Sequence, residues 1–129
     1  MLENAAIVRR GYDALKTGDL GALAALFAEN AAWHTPGKGP LSGDAVGREA
    51  VLARFGRSTA ETAGTFEARL KRVLTDEDGR VIGIHHSVAT RCGKQLDVYS
   101  CTVFEVENGQ IVDARELVQD LSAWDEFWS

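Results

Sequence analysis

The chain has 129 residues, of which 45% are hydrophobic and 26% are charged, and its formal net charge is −5 at pH 7. This length suffices for one domain with a hydrophobic core and leaves no room for a second. The negative charge, with no basic cluster to offset it, argues against a nucleic acid or an anionic membrane as a partner. We expect a single domain over residues 1–129.

Signals for export, membrane insertion and metal binding are missing from the sequence. The N-terminal residues lack the basic segment and apolar run of a signal peptide, and no stretch is apolar for the length of a membrane span. The two cysteines, Cys92 and Cys101, have neither metal-ligand nor disulfide-framework spacing. The sequence predicts a cytoplasmic protein without a metal or an organic cofactor.

The first part of the chain has helical periodicity. Apolar residues recur at helical spacing over residues 2–16, and a second helix, rich in Ala and Leu, is predicted over about residues 20–28. Between them, residues 17–19 combine a helix stop at Gly18 with a new N-cap. We therefore expect two helices joined by a tight turn.

A loop follows these helices. The extended segment 31–35 ends at residues 36–40, where two prolines and two glycines exclude regular structure. A third helix is predicted from Gly47 to residue 56, and its pattern permits a continuation to residue 63.

The second half of the chain reads as strands followed by a helix. The strands are predicted at residues 65–75, 80–91, 95–106 and 110–118. The last two form a hairpin around Asn108-Gly109, because both residues tolerate positive φ. In the tail, Leu121, Trp124 and Trp128 are at helical spacing, with Asp120 or Ser122 as the N-cap.

This order of elements predicts an α+β fold, with helices packed on one face of a curved antiparallel sheet. An aromatic helix that directly follows a strand is expected to fold back over the sheet. It would close one end of an apolar pocket, and a charged residue on the sheet face beneath it becomes a functional candidate.

Four parts of the chain carry a resemblance to one superfamily. They are the run from Val8 to His34, residues 47–51, the hairpin at 104–112 and the pair Arg115-Glu116. In these segments the chain resembles the nuclear transport factor two-like superfamily, and within it the SnoaL-like polyketide cyclases, ketosteroid isomerases and limonene-epoxide hydrolases. The resemblance implies a cone-shaped roll with a pocket between sheet and helices. Since this scaffold hosts many chemistries, the resemblance specifies the fold more closely than the reaction.

The resemblance also implies three catalytic positions. Residues 34–43 are similar in spacing to the isomerase segment that begins with the catalytic base, which puts His34 in that role. Glu116 occupies the position of the Asp that handles the nucleophilic water in the epoxide hydrolases, and His85 aligns with their second catalytic Asp. An alternative for His34 is a loop histidine bonded to a backbone carbonyl.

Neither family activity is implied intact. Gly11 and Thr102 stand at the positions of the two oxyanion donors of the isomerases, although Tyr12 is adjacent and has a hydroxyl. Gly83 stands where the hydrolases have an arginine.

Strand alternation bears on Glu116 and on the two adjacent histidines. Glu116 shares a strand face with three apolar residues, so burial is expected to shift its pKa, unless an arginine on a neighbouring strand pairs with it. His85 and His86 must point to opposite faces. The apolar pattern of the strand favours His86 inside, whereas the resemblance favours His85 in the pocket and His86 at a dimer interface. We follow the resemblance.

Together these observations predict an acid–base enzyme of isomerase, cyclase or hydrolase type that acts on an apolar small molecule. The alternative is a non-catalytic ligand-binding or dimeric interaction module. The resemblance further implies a homodimer through the outer face of the sheet, with Asp97 and Tyr99 on that face. The residues expected to line the pocket are Tyr12, Trp33, Val98, Ser100, Thr102, Phe104, Val118, Trp124 and Trp128. For the tryptophans, plain core packing is the alternative.

Overall fold

The computed structural model describes residues 3–129. In this part of the chain the elements are α1 (Asn4–Thr17), α2 (Leu20–Leu26), β1 (Phe27–Thr35), β2 (Gly43–Val46), α3 (Arg48–Glu61), β3 (Glu67–Thr75), β4 (Val81–Arg91), β5 (Lys94–Glu107), β6 (Gln110–Val118) and α4 (Leu121–Trp128). The sequence predicts that the first helix begins at Leu2, which lies outside the described residues.

The six strands form one curved sheet in the order β2-β1-β6-β5-β4-β3. Helices α1, α2 and α3 pack on one face of it, so the predicted α+β class is confirmed. Three features differ from the prediction: β1 begins at Phe27, within the helix predicted over about residues 20–28, the strand β2 is present, and β1 pairs with β6 in parallel. No turn joins β1 to β6 in sequence, so no local signal sets their relative direction.

Side-chain caps and a glycine set the helix boundaries. α1 ends at Gly18, whose φ of 71° lets its N–H bond back to the last turn. α2 begins at Asp19, which accepts the Ala22 N–H at 3.0 Å, and α4 begins at Asp120, which accepts the Ala123 N–H at 3.1 Å. The turn predicted at residues 17–19 is confirmed, and Asp120 rather than Ser122 caps the last helix.

Two apolar clusters fill the space between the helices and the sheet. The first joins α1, α2 and α3 to the sheet and includes Tyr12, Phe27, Trp33 and Phe104. The second lies where α4 packs against β4 and β5. It consists of Leu41, Ala89, Leu96, Val98, Trp124, Phe127 and Trp128. The face of the sheet beneath these clusters is called the inner face below, and the opposite face is called the outer face. Among residues 3–129, no helix has the length and apolar character to cross a membrane.

Candidate active site

A patch of polar side chains interrupts the apolar inner face. Strand alternation points five of them inward, and each is at most 8% exposed: His85, Ser87, Ser100, Thr102 and Glu116. The strand register makes them neighbours, because Thr102 lies opposite Glu116 on one side, and Ser100 lies opposite His85 on the other. They form one contiguous group, which we call the inner polar patch.

Glu116 is the acidic member of this patch. Burial raises its pKa to about 7, although hydrogen bonding from Trp33 and the charge of Arg54 act to lower it. A carboxyl group with this pKa is present in both protonation states near neutral pH. It can therefore accept a proton and return it without a large free-energy penalty.

The arginine near Glu116 comes from a helix rather than from a neighbouring strand. Arg54 lies on α3, and its Nη1 donates to Thr35 Oγ1 at 3.2 Å and to the Gly43 carbonyl at 2.7 Å. These two bonds hold the guanidinium at the end of β1. Burial lowers the pKa of Arg54, and the charges of Asp44 and Glu116 counter that effect.

Tyr12 and His85 form a buried hydrogen-bonded pair. The Tyr12 hydroxyl lies 2.8 Å from His85 Nδ1. Burial lowers the pKa of His85 to about 4 and raises the pKa of Tyr12, so at neutral pH the imidazole is uncharged and the phenol keeps its proton. We assign the phenol O–H as donor to Nδ1, which leaves the imidazole proton on Nε2. The pair then offers a neutral N–H donor inside the patch.

Thr102 lies near this pair. Its hydroxyl is close enough to lower the pKa of Tyr12, but Thr102 Oγ1 makes no hydrogen bond in the structure.

Gly83 makes room for Tyr12. A Cβ at this position would lie 2.7 Å from the Tyr12 hydroxyl oxygen and 2.9 Å from its ring carbon Cε2. Real Cβ atoms do not approach other atoms this closely, so a glycine is required for Tyr12 to lie over β4. The absence of a side chain at Gly83 thus allows the Tyr12–His85 pair to form.

Aromatic rings form the wall around the patch. Trp33 meets Phe55 edge-on at 5.0 Å between ring centroids and Phe104 at 5.8 Å, and Tyr12 meets Phe104 at 6.1 Å. Of the predicted pocket residues, Tyr12, Trp33, Ser100, Thr102 and Phe104 surround Glu116 and His85. The other four, Val98, Val118, Trp124 and Trp128, belong to the second apolar cluster or pack against it.

The structure does not bring His34 together with Glu116 and His85. Its neighbours Trp33 and Thr35 are buried on the inner face, so His34 points to the outer face. There its Nδ1 lies 2.7 Å from Asp44 Oδ1, and its Nε2 lies 2.7 Å from Asp113 Oδ1. These two carboxylates raise the pKa of His34. The prediction that His34 faces the pocket is wrong, because His34 alternates along β1 with the inward-facing Trp33 and Thr35.

His86 also lies on the outer face. Its ring stacks on Tyr99 with 4.7 Å between centroids and 12° between planes, and its Nε2 bonds to Asp97. The outward placement of His86, Asp97 and Tyr99 agrees with the prediction, as does the inward placement of His85.

Sequence reasoning missed Arg54 and Ser87. Arg54 follows Val51 by three residues and so lies on the apolar side of its helix, which is a signal for a functional charge. Ser87 has the parity of His85 and Ala89, so with His85 placed inside by the resemblance, alternation along β4 places Ser87 inside as well. Among residues 3–129, no group of three His, Cys, Asp or Glu side chains is arranged to hold a metal ion.

Two surface depressions lie away from the inner polar patch. One, of about 640 Å³, is lined by residues 97–99 and 119–122, and one, of about 410 Å³, lies between α1 and α2. Neither is lined by Glu116 or His85. The loop at 36–42 is held against α4, because the Lys38 N–H donates to Asp125 Oδ1 at 2.9 Å.

Two low-identity neighbours share the fold alone. TerC, whose structure was determined in co-crystals with polyporic acid, is 13% identical with a TM-score of 0.81, and 95% of each chain is covered. A proposed polyketide cyclase from Pseudomonas putida KT2440 is 18% identical with a TM-score of 0.73, and 100% of each chain is covered.

Closer relatives match nearly the whole chain. Bal32a, from a soil-derived mobile gene cassette, is 57% identical with a TM-score of 0.96, and the match covers 98% of this chain and 96% of that one. The uncharacterized protein Rv0034 of Mycobacterium tuberculosis H37Rv is 35% identical over 123 residues, which cover 95% of this chain and 94% of that protein. The SnoaL-like domain family matches residues 8–114. The chain therefore belongs to the SnoaL-like domain family, as its sequence indicates.

Proposed function

We propose that the protein is an acid–base enzyme, without a metal or organic cofactor, that moves protons next to a carbonyl group of an apolar small molecule. The observation that carries this proposal is the buried Glu116 carboxyl group. Its pKa of about 7 is combined with the neutral Tyr12–His85 pair on the same sheet face. A base and a set of hydrogen-bond donors thus lie within one enclosed patch.

The proposed chemistry assigns one role to each group. The Glu116 carboxylate removes a proton from the carbon next to the carbonyl, and the bonding electrons move onto the carbonyl oxygen. The N–H of neutral His85, supported by Tyr12, donates to that oxygen as its charge develops. Glu116 then returns the proton to another carbon, which is isomerisation. In cyclisation, the new carbanion instead attacks the carbon of a second carbonyl of the same molecule, whose π electrons move onto its oxygen, and Glu116 gives its proton to that oxygen. In a hydrolase, Glu116 would activate water in the same way.

The low-identity neighbours support a small-molecule role for this scaffold. One is a proposed polyketide cyclase, and another was crystallised with polyporic acid. Polyketides and quinones are carbonyl compounds with large apolar surfaces, and such a surface suits the aromatic wall of Trp33, Phe55 and Phe104.

The test is exchange of α-protons for solvent deuterium, followed by NMR. The substrates are β-tetralone, a β,γ-unsaturated steroid ketone and an aromatic β-diketone. We expect the wild type to accelerate exchange of at least one, and Glu116→Gln to lose about a hundredfold or more of that rate. The rate should rise with pH around a midpoint near 7, because the carboxylate is the active form.

A control variant and two contrary outcomes make this test decisive. His34→Gln changes a group on the outer face, so its exchange rate should stay within about twofold of the wild type. Full activity in Glu116→Gln would contradict the assignment of the base. If none of the three ketones exchanges its α-protons faster than in buffer alone, the proposal that the protein is an acid–base enzyme is contradicted.

The second candidate is a binding module without catalysis. It is favoured by the packing of Trp124, Phe127 and Trp128, which are at most 4% exposed and fill the α4 end of the inner space. In this case the ketones would stabilise the protein against heat without any exchange of their α-protons.

We further propose that two copies associate through the outer face. This face carries Tyr99 and Leu117, which are 46% and 52% exposed, beside partly buried Ile82, Ile84 and Val103. A contiguous apolar surface of this kind is typical of a protein–protein contact. Dimerisation would cover the His86–Tyr99 stack and leave the inner polar patch within each copy.

A further inference from the structure

Besides Thr102, two hydroxyls of the inner polar patch have no hydrogen-bond partner in the structure. Ser87 Oγ and Ser100 Oγ are both fully enclosed and unpaired, in residues that are 0% and 3% exposed. A buried hydroxyl without a partner loses the hydrogen bonds that water gave it and gains none in return. Such groups are rare in folded proteins, and two neighbours on one sheet face indicate a place built for a further molecule.

The strand register shows how these hydroxyls lie relative to the proposed catalytic groups. Ser100 is directly opposite His85, and Ser87 is opposite Val98, so Ser87 and Ser100 are diagonal neighbours on the same face. Thr102 lies two residues further along β5 and is opposite Glu116. Two residues along a strand span about 7 Å. Along the sheet, Ser100 is therefore about 7 Å and Ser87 about 14 Å from the level of Glu116.

A third unpaired group belongs to the same end of the inner space. Trp128 Nε1 is buried without a hydrogen-bond partner, and Trp128 packs in the cluster that contains Val98, the residue opposite Ser87. The indole N–H is only a donor, whereas each hydroxyl is both donor and acceptor. None of the three is charged, so they suit a neutral carbonyl or hydroxyl oxygen better than a carboxylate or a phosphate.

We propose that Ser87, Ser100 and Trp128 form a second oxygen-binding subsite. It receives a carbonyl or hydroxyl oxygen of a neutral substrate whose reacting carbonyl lies beside Glu116 and the Tyr12–His85 pair, with Ser100 opposite His85 and Ser87 about 7 Å from His85 along β4. The substrate class is then an apolar ring system that carries oxygen at both ends. This inference rests on the proposed function for the identity of the first oxygen.

The experiment compares two ligands that differ by one oxygen. The first is β-tetralone, and the second is its analogue with a hydroxyl on the aromatic ring, on the side away from the ketone. Dissociation constants are measured by calorimetry for the wild type and for Ser87→Ala/Ser100→Ala. Ser122→Ala serves as the matched control, because it removes an exposed hydroxyl of α4.

We expect the wild type and Ser122→Ala to bind the hydroxylated ligand about tenfold more tightly than the parent ligand. In the double variant the preference should fall to within about twofold, with the affinity for the parent ligand unchanged. The single variants Ser87→Ala and Ser100→Ala should each lose part of the preference for the hydroxylated ligand. A preference retained in the double variant would overturn the subsite, as would a wild type with no preference or with no binding of either ligand.

Proton exchange separates this proposal from the one on which it rests. Glu116→Gln should keep the preference for the hydroxylated ligand while its α-proton exchange is lost. If exchange is absent in the wild type but the preference depends on the serines, the subsite stands and the enzyme proposal fails. If exchange depends on Glu116 but the preference does not depend on the serines, the enzyme stands and the subsite fails.

Discussion

At the residue scale, burial favours the uncharged form of both Glu116 and His85. It raises the pKa of the carboxyl group to about 7 and lowers the pKa of the imidazole to about 4. Both shifts favour the uncharged form of the group. Between these two pKa values both residues are neutral, and above about pH 7 the patch gains one negative charge.

The shift of Glu116 makes stability depend on pH. The folded pKa is about 7, above the ordinary value of 4.5, so the folded state holds the proton more tightly than the unfolded state. The protein therefore loses stability as pH rises through this range, by about 3 kcal/mol once Glu116 is ionised in both states. The variant Glu116→Gln has no carboxyl group to ionise, so it does not lose this stability. The unfolding free energy of the variant relative to that of the wild type should therefore rise between about pH 5 and about pH 8.

Urea unfolding at the two pH values checks this prediction. The comparison isolates Glu116, because His85 and His34 titrate in both proteins and cancel in the difference. A difference in unfolding free energy that stays constant with pH would show that Glu116 is not held in a protonated form by burial.

The unpaired hydroxyl of Ser100 leads to a second prediction at this scale. Ser100→Ala removes a buried polar atom that has no partner, so stability should stay the same or rise by up to about 1 kcal/mol. Ser42→Ala is the matched control. The Ser42 hydroxyl donates to the Pro36 carbonyl at 2.7 Å and accepts the Gly39 N–H at 3.0 Å, so its loss should destabilise by about 1 kcal/mol or more. Equal destabilisation of both variants in thermal unfolding would mean that Ser100 is bonded.

At the element scale, alternation along the strands decides which residues can act together. The hairpin at Asn108-Gly109 and the helix caps at Asp19 and Asp120 follow from local chemistry, and the sequence predicts them. The inward position of His85 follows from the resemblance. The sequence does not predict the parallel pairing of β1 with β6, because pairing of distant strands depends on the packing of the whole sheet.

The same limit applies to the candidate site. The sequence predicts a functional role for Glu116, because it is a charged residue on an otherwise apolar strand face. The charge of Arg54 acts on Glu116 from a helix distant in sequence, and only the folded chain brings the two groups near each other. The position of His34 was open to prediction, since the parity of β1 separates it from Trp33.

Gly83 on β4 leaves room for the Tyr12 ring of α1, and a mutation can test this close packing. In Gly83→Ala the new methyl group would overlap Tyr12, so the ring must move away from His85. We expect a loss of about 1–3 kcal/mol in stability and a fall in α-proton exchange. In a Tyr12→Ala background the same change should cost much less stability. Equal losses in both backgrounds, measured by urea unfolding, would contradict the contact.

His34 joins three strands on the outer face. Asp44 and Asp113 raise its pKa above the ordinary 6.5, so its charged form is favoured by folding. The stability that it provides is fully present below pH 6.5 and is lost as pH rises through the folded pKa. His34→Gln should therefore lower the melting temperature more at about pH 6 than at about pH 8. A larger loss at the higher pH would reverse the sign and contradict the ion-pair assignment.

At the scale of the whole molecule, the two faces of the sheet differ in chemical character. The inner face holds the polar patch between two apolar clusters, and the outer face carries the exposed Tyr99 and Leu117. Leu117 alternates with Glu116, so a single strand supplies a residue to each face. Changes to one face should therefore leave the other largely intact.

Light scattering after size exclusion tests the proposed dimer. Leu117→Arg places a charge in the middle of the outer face and should yield a monomer that remains folded. Leu20→Arg is the control, because Leu20 is also exposed but lies at the start of α2, away from the sheet. A dimer that persists in Leu117→Arg, or a monomeric wild type, would exclude association through this face.

The open sheet also has two free edges, and both are poor templates for further strands. β2 offers only four residues, and β3 carries Glu67, Arg69, Lys71 and Arg72 along its exposed length. Short edges and charged edges resist the addition of a strand from another molecule, which is how natural sheets avoid fibrous aggregation. The protein should therefore tolerate high concentration without growing β-rich polymers, and its association in solution should stop at a closed pair.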